Sequence, residues 1–543
     1  MTKYKALSLL LVAASLTACS TQVTQSTAPV AASTGTSTSA NASSGTAAPA
    51  SATPVAVDYE ADDASGQWQD QAATRITLNG DSITLDGPGA AVDGSTLYLV
   101  SSGVFVLTGN LPHGQVIIDS QTKGTVRLVL DGATIQNDDG PAIWAKKADK
   151  TIITLNEGTE NQVIDGQTYA DTTAEDAPNA AIFSMDDLTI NGAGRLTVRG
   201  NFNNGIMSKD DLRITGGTLM VYAADDALVG RDRVMVKDGA IAVESGGDGV
   251  KTTNEDDPEK GHVAIEGGNL TVTAGADGIQ AHMAVQVSGG SIRIDSVDDA
   301  IHADESLLIA GGSVTISESY EGLEAKVITV TGGQTSLIAS DDGVNLSEPG
   351  TGSAQTARPG QGGGAGGKPG VTGSGSGVFY MQGGTVSVDA AGDGIDSNGS
   401  VYMSGGTLLV NGPTANMNGA LDYDGVFELT GGTVIAAGSS GMVQTPSEQS
   451  TVNSVGMLFT QVPQAGTTVS IRDSQGKELL SLELKRSYPA VIFASPELKQ
   501  GESYAVYAGE QKVVGLEIGG SVTWVNESGV TTAPRGGGFR GRP

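Results

Sequence analysis

Between residues 212 and 440, short alternations of apolar and polar residues recur at a near-constant interval. With a Gly-rich turn as zero, units start at Gly216, Asp238, Gly267, Gly289, Gly311, Gly332, Gly383, Gly405 and Gly431, mostly 22 residues apart. Offsets 3 and 5 carry Leu219/Val221, Ile241/Val243, Leu270/Val272, Ile292/Ile294, Val314/Ile316 and Val386/Val388. Offset 12 carries Leu228, Val250, Ile279, Ile301, Leu323, Val344 and Ile395, and offsets 18 and 20 carry pairs such as Val234/Val236 and Val285/Val287. A period of two is that of a strand, so each unit predicts three short strands. Units of this length that each bury a face only against their neighbours predict a solenoid. The fold class expected is all-β, a parallel β-helix with three strands per coil.

Two steps are long. One holds a polar insertion around Thr252 to Lys260, the other a Gly-rich stretch, 349–377, read as a disordered loop leaving the coil. Weaker traces of the pattern, such as Val126/Leu128/Leu130, reach back to residue 75 and extrapolate to roughly sixteen coils. After residue 450 the spacing becomes that of antiparallel strands with ordinary turns. The resulting division is a β-helix over 67–450, a small β module over 451–530 that covers the open last coil, and a basic tail over 531–543.

The N-terminus adds an address. Lys3 and Lys5 precede an apolar run too short to span a bilayer, followed by Leu16-Thr17-Ala18-Cys19. This resembles a bacterial lipobox, with 1–18 as the lipoprotein signal peptide and Cys19 as the lipidated residue. Residues 19–66, rich in Ser, Thr and Ala, are expected to be a flexible tether. The membrane is then met through the lipid anchor alone, at a bacterial outer membrane or cell surface.

Composition narrows the partners. The 543 residues include 61 acidic and 30 basic side chains, a net charge of −31, which argues against nucleic acid and toward cations or cation-bridged ligands. One cysteine rules out a disulfide framework, and aromatics at 4% suit a thin aliphatic core. A monomer is expected.

The acids are ordered. Offset 10 holds Asp226, Asp248, Asp277, Asp299, Glu321, Asp342 and Asp393, and offset 9 adds Asp225, Asp298 and Asp341. Equal offsets in a β-helix stack one strand spacing apart, so these carboxylates form a column along one edge. Neighbouring charges at that distance repel by on the order of 1 kcal/mol even in a water-like dielectric, and bound Ca²⁺ would relieve this with its 6–8 oxygen ligands. The alternative is turn chemistry, since Asp-Gly is a good turn former. A shorter column, Asp186/Asp187, Asp210/Asp211, Asp232 and Glu305, reads more readily as turns. Offset 13 carries Lys251, Gln280, His302, Glu324, Asn345 and Asp396, an outward polar row suited to sugar hydroxyls.

Segments such as AAIFSMDDLTINGAG, NGIMSKDDLRITGG, DDALVGRDRVMV, GDGVKTTNEDD and ADGIQA resemble the bacterial carbohydrate-binding domain-containing proteins. The likeness covers residues 75–510. It implies a right-handed parallel β-helix shaped like a pectate lyase, bound calcium, and acidic polysaccharides such as polygalacturonate as partners. It supports Asp226, Asp248, Asp277 and Asp299 as calcium ligands; Glu321 departs from the pattern. The function expected is calcium-mediated binding of acidic polysaccharide by a surface lipoprotein, with Lys251, Gln280, His302 and Asn345 beside the metals. A calcium-dependent lyase with Lys251 as base, and a non-catalytic adhesive rod, are the alternatives.

Overall fold

The computed structural model describes residues 51–170, 172–174, 176–346 and 377–534. The signal peptide, Cys19, nearly all of the Gly-rich stretch and the last nine residues of the basic tail lie outside the described residues.

The repeat folds as its spacing predicts. In one coil, strands Thr218–Ala223, Leu228–Gly230 and Arg233–Val236 follow each other, and the next coil repeats them as Ala240–Ser245, Val250–Thr252 and His262–Ile265. Each pairs in parallel with its counterpart, giving three ladders. Register follows the offsets: Leu219, Ile241, Leu270, Ile292 and Val314 stack in one line. All five are at most 3% exposed, because a one-residue slip would turn this apolar row to solvent. The turn from third to first ladder needs a left-handed residue, met by Gly217, Gly239, Gly268, Gly290 and Gly312.

Coils are fewer than the extrapolation. The second ladder, from Thr96–Leu99 to Asp422–Tyr423, holds thirteen strands among the described residues. The difference arises upstream, where one step is far longer than 22 residues: Ile143 stacks on Ile182. Two antiparallel hairpins, Thr74–Asn79 with Ile83–Asp86 and Ala90–Asp93 with Thr96–Leu99, close the first coil. At the other end the last first-ladder strand, Thr433–Gly438, pairs antiparallel with Ala490–Ala494. A separate four-stranded antiparallel sheet completes this terminal module. The exposed edge of the coil is thereby consumed.

The part of the expected tether that is described is not free. Residues 51–66 lie against the outer face of the third ladder. The Ala52 and Val55 amides donate to Thr329 Oγ1 and Gln286 Oε1, and Arg213 Nε donates to the Asp58 carbonyl. The strap ends in a one-turn helix, Ala61–Ala64, whose Asp63 is fully buried and 2.7 Å from Lys150 Nζ. Polar outward side chains on successive coils satisfy the strap's backbone, so a segment poor in large apolar residues is still held.

Candidate functional site

The acidic column forms, and its geometry combines both readings of the sequence. Each Asp spends one oxygen on the next coil. The Asp248 N–H donates to Asp226 Oδ1 at 2.8 Å, Asp277 to Asp248 at 2.9 Å, Asp299 to Asp277 at 3.0 Å and Glu321 to Asp299 at 3.2 Å. The first rung is Asp226 N–H to Asn204 Oδ1, and the series resumes with Asp393 N–H to Asp342 Oδ1 at 2.6 Å. This is amide capping, but from coil to coil rather than within a turn. It leaves the second oxygen of each carboxylate for other partners.

Those partners divide the column. On the earlier coils the row at offset 13 supplies cations. Lys251 Nζ lies 2.7 Å from Asp248 Oδ2 and 3.3 Å from Asp226 Oδ2. His302 Nδ1 lies 3.5 Å from Asp277 Oδ2, 3.8 Å from Asp299 Oδ2 and 3.7 Å from Glu324 Oε2, and its Nε2 lies 3.3 Å from Asp304. Burial would lower both basic groups, but contacts with Asp248 and Asp226 raise Lys251, and those with Asp277, Asp304 and Glu324 raise His302. Both are therefore charged at neutral pH, and Lys251 is poorly suited to act as a base.

On the later coils the row turns acidic. Lys251, Gln280, His302, Glu324, Asn345, Asp396 and Asp422 stand in register along the second ladder. Asp342, Asp393 and Asp396 bring one oxygen each within 4.8 Å of one another. None of them, nor Asp422 or Asp424, has an ion pair with a basic side chain among the described residues. Burial first, and then neighbouring carboxylates, push Asp342 and Asp393 up to about 7 and Asp396 to about 6. Glu321 is pushed to about 8 by burial and by Glu324.

Gln280 and Asn345 take their expected outward places, and Asn345 Nδ2 donates to Glu321 Oε2 at 2.7 Å. At offset 9, Asp225 accepts from Asn203 Nδ2 at 2.7 Å, while Asp298 and Asp341 flank Tyr320. Asp396, Asp422 and Tyr320 complete the edge; Asp396 stands at offset 13 and Tyr320 at offset 9, whereas Asp422 falls outside the regular offsets. The shorter column is neutralised in part: Arg213 bridges Asp187 and Asp211 at 2.8 and 2.7 Å, and Lys260 pairs with Asp232 at 2.6 Å, whereas burial and the neighbouring acids push Asp210 up to about 7. All the ligand atoms of the later coils are hard oxygens, which fits Ca²⁺ better than a soft metal.

The chain is similar in sequence to carbohydrate-binding domain-containing proteins. Residues 93–343 match the model of the carbohydrate-binding domain-containing protein family. A carbohydrate-binding domain-containing protein of Acetivibrio thermocellus is 37% identical over 151 residues, 27% of this chain and 53% of that protein. The match thus spans about half the length of this curated relative. Among solved structures, the polysaccharide lyase-like protein from C. thermocellum, a gadolinium derivative, is 33% identical. That alignment covers 44% of this chain and 97% of the other, with a TM-score of 0.43. The stack of coils over residues 93–343, with most of the acidic column on it, is thus similar to the carbohydrate-binding domain-containing protein family.

Proposed function

We propose that this chain binds an acidic polysaccharide along the edge that carries the column, with calcium as the bridge. The observation that carries the reading is the set Asp342, Asp393 and Asp396, whose oxygens converge without a basic partner among the described residues. Burial first, and then the neighbouring carboxylates, raise their proton affinity, and a divalent cation would offset both. Calcium held by protein carboxylates on one side retains positions for uronate carboxylates and sugar hydroxyls on the other. On the earlier coils Lys251 and His302 hold the places that cations would take, so calcium belongs on the later ones. Cys19 would tether the chain to a bacterial membrane through its lipid, leaving the coils free to meet extracellular polymer.

Calorimetry of chelator-treated protein tests this, titrating first Ca²⁺ and then polygalacturonate. Heat with defined stoichiometry in both steps is expected. An absence of calcium heat, with no rise in melting temperature, would reduce the column to a structural device. A rise in ultraviolet absorbance from unsaturated product would instead establish a lyase.

A further inference from the structure

The edge also carries an aromatic. Backbone bonds from coil to coil define the offset-9 row: the Asp298 N–H donates to the Ala276 carbonyl, Tyr320 to Asp298, Asp341 to Tyr320, and Gly392 to Asp341. Tyr320 is the only aromatic in this row, with small Ala276 and Gly392 two coils to either side, so its ring stands above its surroundings. It is 42% exposed. Its hydroxyl lies near the Asp341 carboxylate, which raises the hydroxyl pKa. Val297, one residue before Asp298, is 73% exposed, and Ile338, three residues before Asp341, is 49% exposed. Three of the nine large apolar side chains exposed among the described residues therefore lie on three successive coils, with Tyr320 itself next to Glu321 in the chain. Such side chains scattered singly need no explanation, but an exposed aromatic on an otherwise acidic edge does.

We infer that Tyr320, with exposed Val297 and Ile338 on the coils before and after it, is a stacking platform for one pyranose unit of the bound polysaccharide. A pyranose carries an apolar face of ring C–H groups and a polar rim. The tyrosine ring suits the first, and the adjoining carboxylates with their cation suit the second. This rests on the sugar-binding reading above and adds a specificity element to it: the ring selects for a sugar, where calcium alone would accept any polyanion.

The test compares the wild type with Tyr320→Ala and Tyr320→Phe, titrated with calcium alone and then with trigalacturonate in calcium. Tyr320→Ala should weaken trisaccharide binding about fivefold or more. Its calcium affinity and melting temperature should not change, and Tyr320→Phe should remain near wild type. In the wild type, trigalacturonate should also protect Tyr320 from nitration. Equal trisaccharide affinity in wild type and Tyr320→Ala overturns the inference. So does an equal loss in both variants, which would make the hydroxyl the contact. Sugar binding without any calcium binding removes the cation bridge and leaves the platform standing; no sugar binding by the wild type removes both.

Discussion

Asn345 Nδ2 donates to Glu321 Oε2 at 2.7 Å, and with this bond the carboxylate series changes direction. Asp299 still accepts the Glu321 amide, but Glu321 turns sideways to the next coil's outward row instead of accepting the Asp342 amide. One extra methylene separates the coils that carry their own cations from those that do not. Glu321→Asp should let the carboxylate accept the Asp342 N–H. Metal-free stability should then rise by roughly 0.5–1.5 kcal/mol, the net worth of one hydrogen bond. Urea denaturation in chelator measures it, and a loss of stability would show that the sideways bond matters more.

The later coils set a pH dependence. Glu321, Asp342, Asp393 and Asp396 are raised to between about 6 and about 8, above the ordinary carboxylate range. A carboxyl whose folded-state pKa is raised contributes stability that is present at low pH and lost as pH rises through the folded value. The metal-free melting temperature should therefore fall between about pH 5 and pH 8.5. Calcium should recover more of it at the upper end than at the lower, where protons already neutralise the cluster. Scanning calorimetry with and without calcium checks both; a calcium effect independent of pH would place the ion elsewhere.

The three ladders, their register and the capped last coil were legible in the sequence because strand offsets repeat and one face of every strand is buried. The Asp-Gly pairs were less so. They suggest turn glycines, yet Gly278 does not adopt a left-handed conformation. A Cβ there would meet the Ile294 side chain and the Ala300 carbonyl, the latter at 2.6 Å. Glycine is required by the closeness of the next coil, which no single unit reveals. Gly278→Ala should thus cost more than the few tenths of a kcal/mol expected at an open site, about 2 kcal/mol or more. Thermal denaturation decides, since a near-neutral change would mean the coils separate easily.

The strap was misread for a related reason. Composition reports whether a segment can bury apolar surface of its own, and residues 51–66 cannot; they are held by side chains more than 60 positions away. Lys150, with its side chain 8% exposed, is paired chiefly with fully buried Asp63. Burial would raise Asp63, but its bonds to Lys150, Thr189 and the Glu60 amide lower it, so this contribution to stability is lost as pH falls. Asp63→Ala leaves the ammonium with only exposed Glu60 and should cost about 3–5 kcal/mol. Proteolysis within residues 51–60 should accelerate in the variant; unchanged cleavage would mean the strap is held without this pair.

Lys251 separates the remaining readings of the edge. It is a fixed cation shared by Asp226 and Asp248, with its side chain 30% exposed. If calcium and protein cations are interchangeable along the column, Lys251→Met should lower metal-free stability by roughly 1–3 kcal/mol and open one further calcium position. The variant would then bind one ion more than the wild type, and calcium would restore the lost stability. A lyase using Lys251 as base would behave differently: wild-type turnover of polygalacturonate would vanish in the variant. Calorimetric stoichiometry and product absorbance on the same two proteins distinguish these outcomes. Unchanged stoichiometry with no turnover in either protein would mean that the column does not exchange one cation for another, and that the earlier coils are a permanently neutralised structural edge.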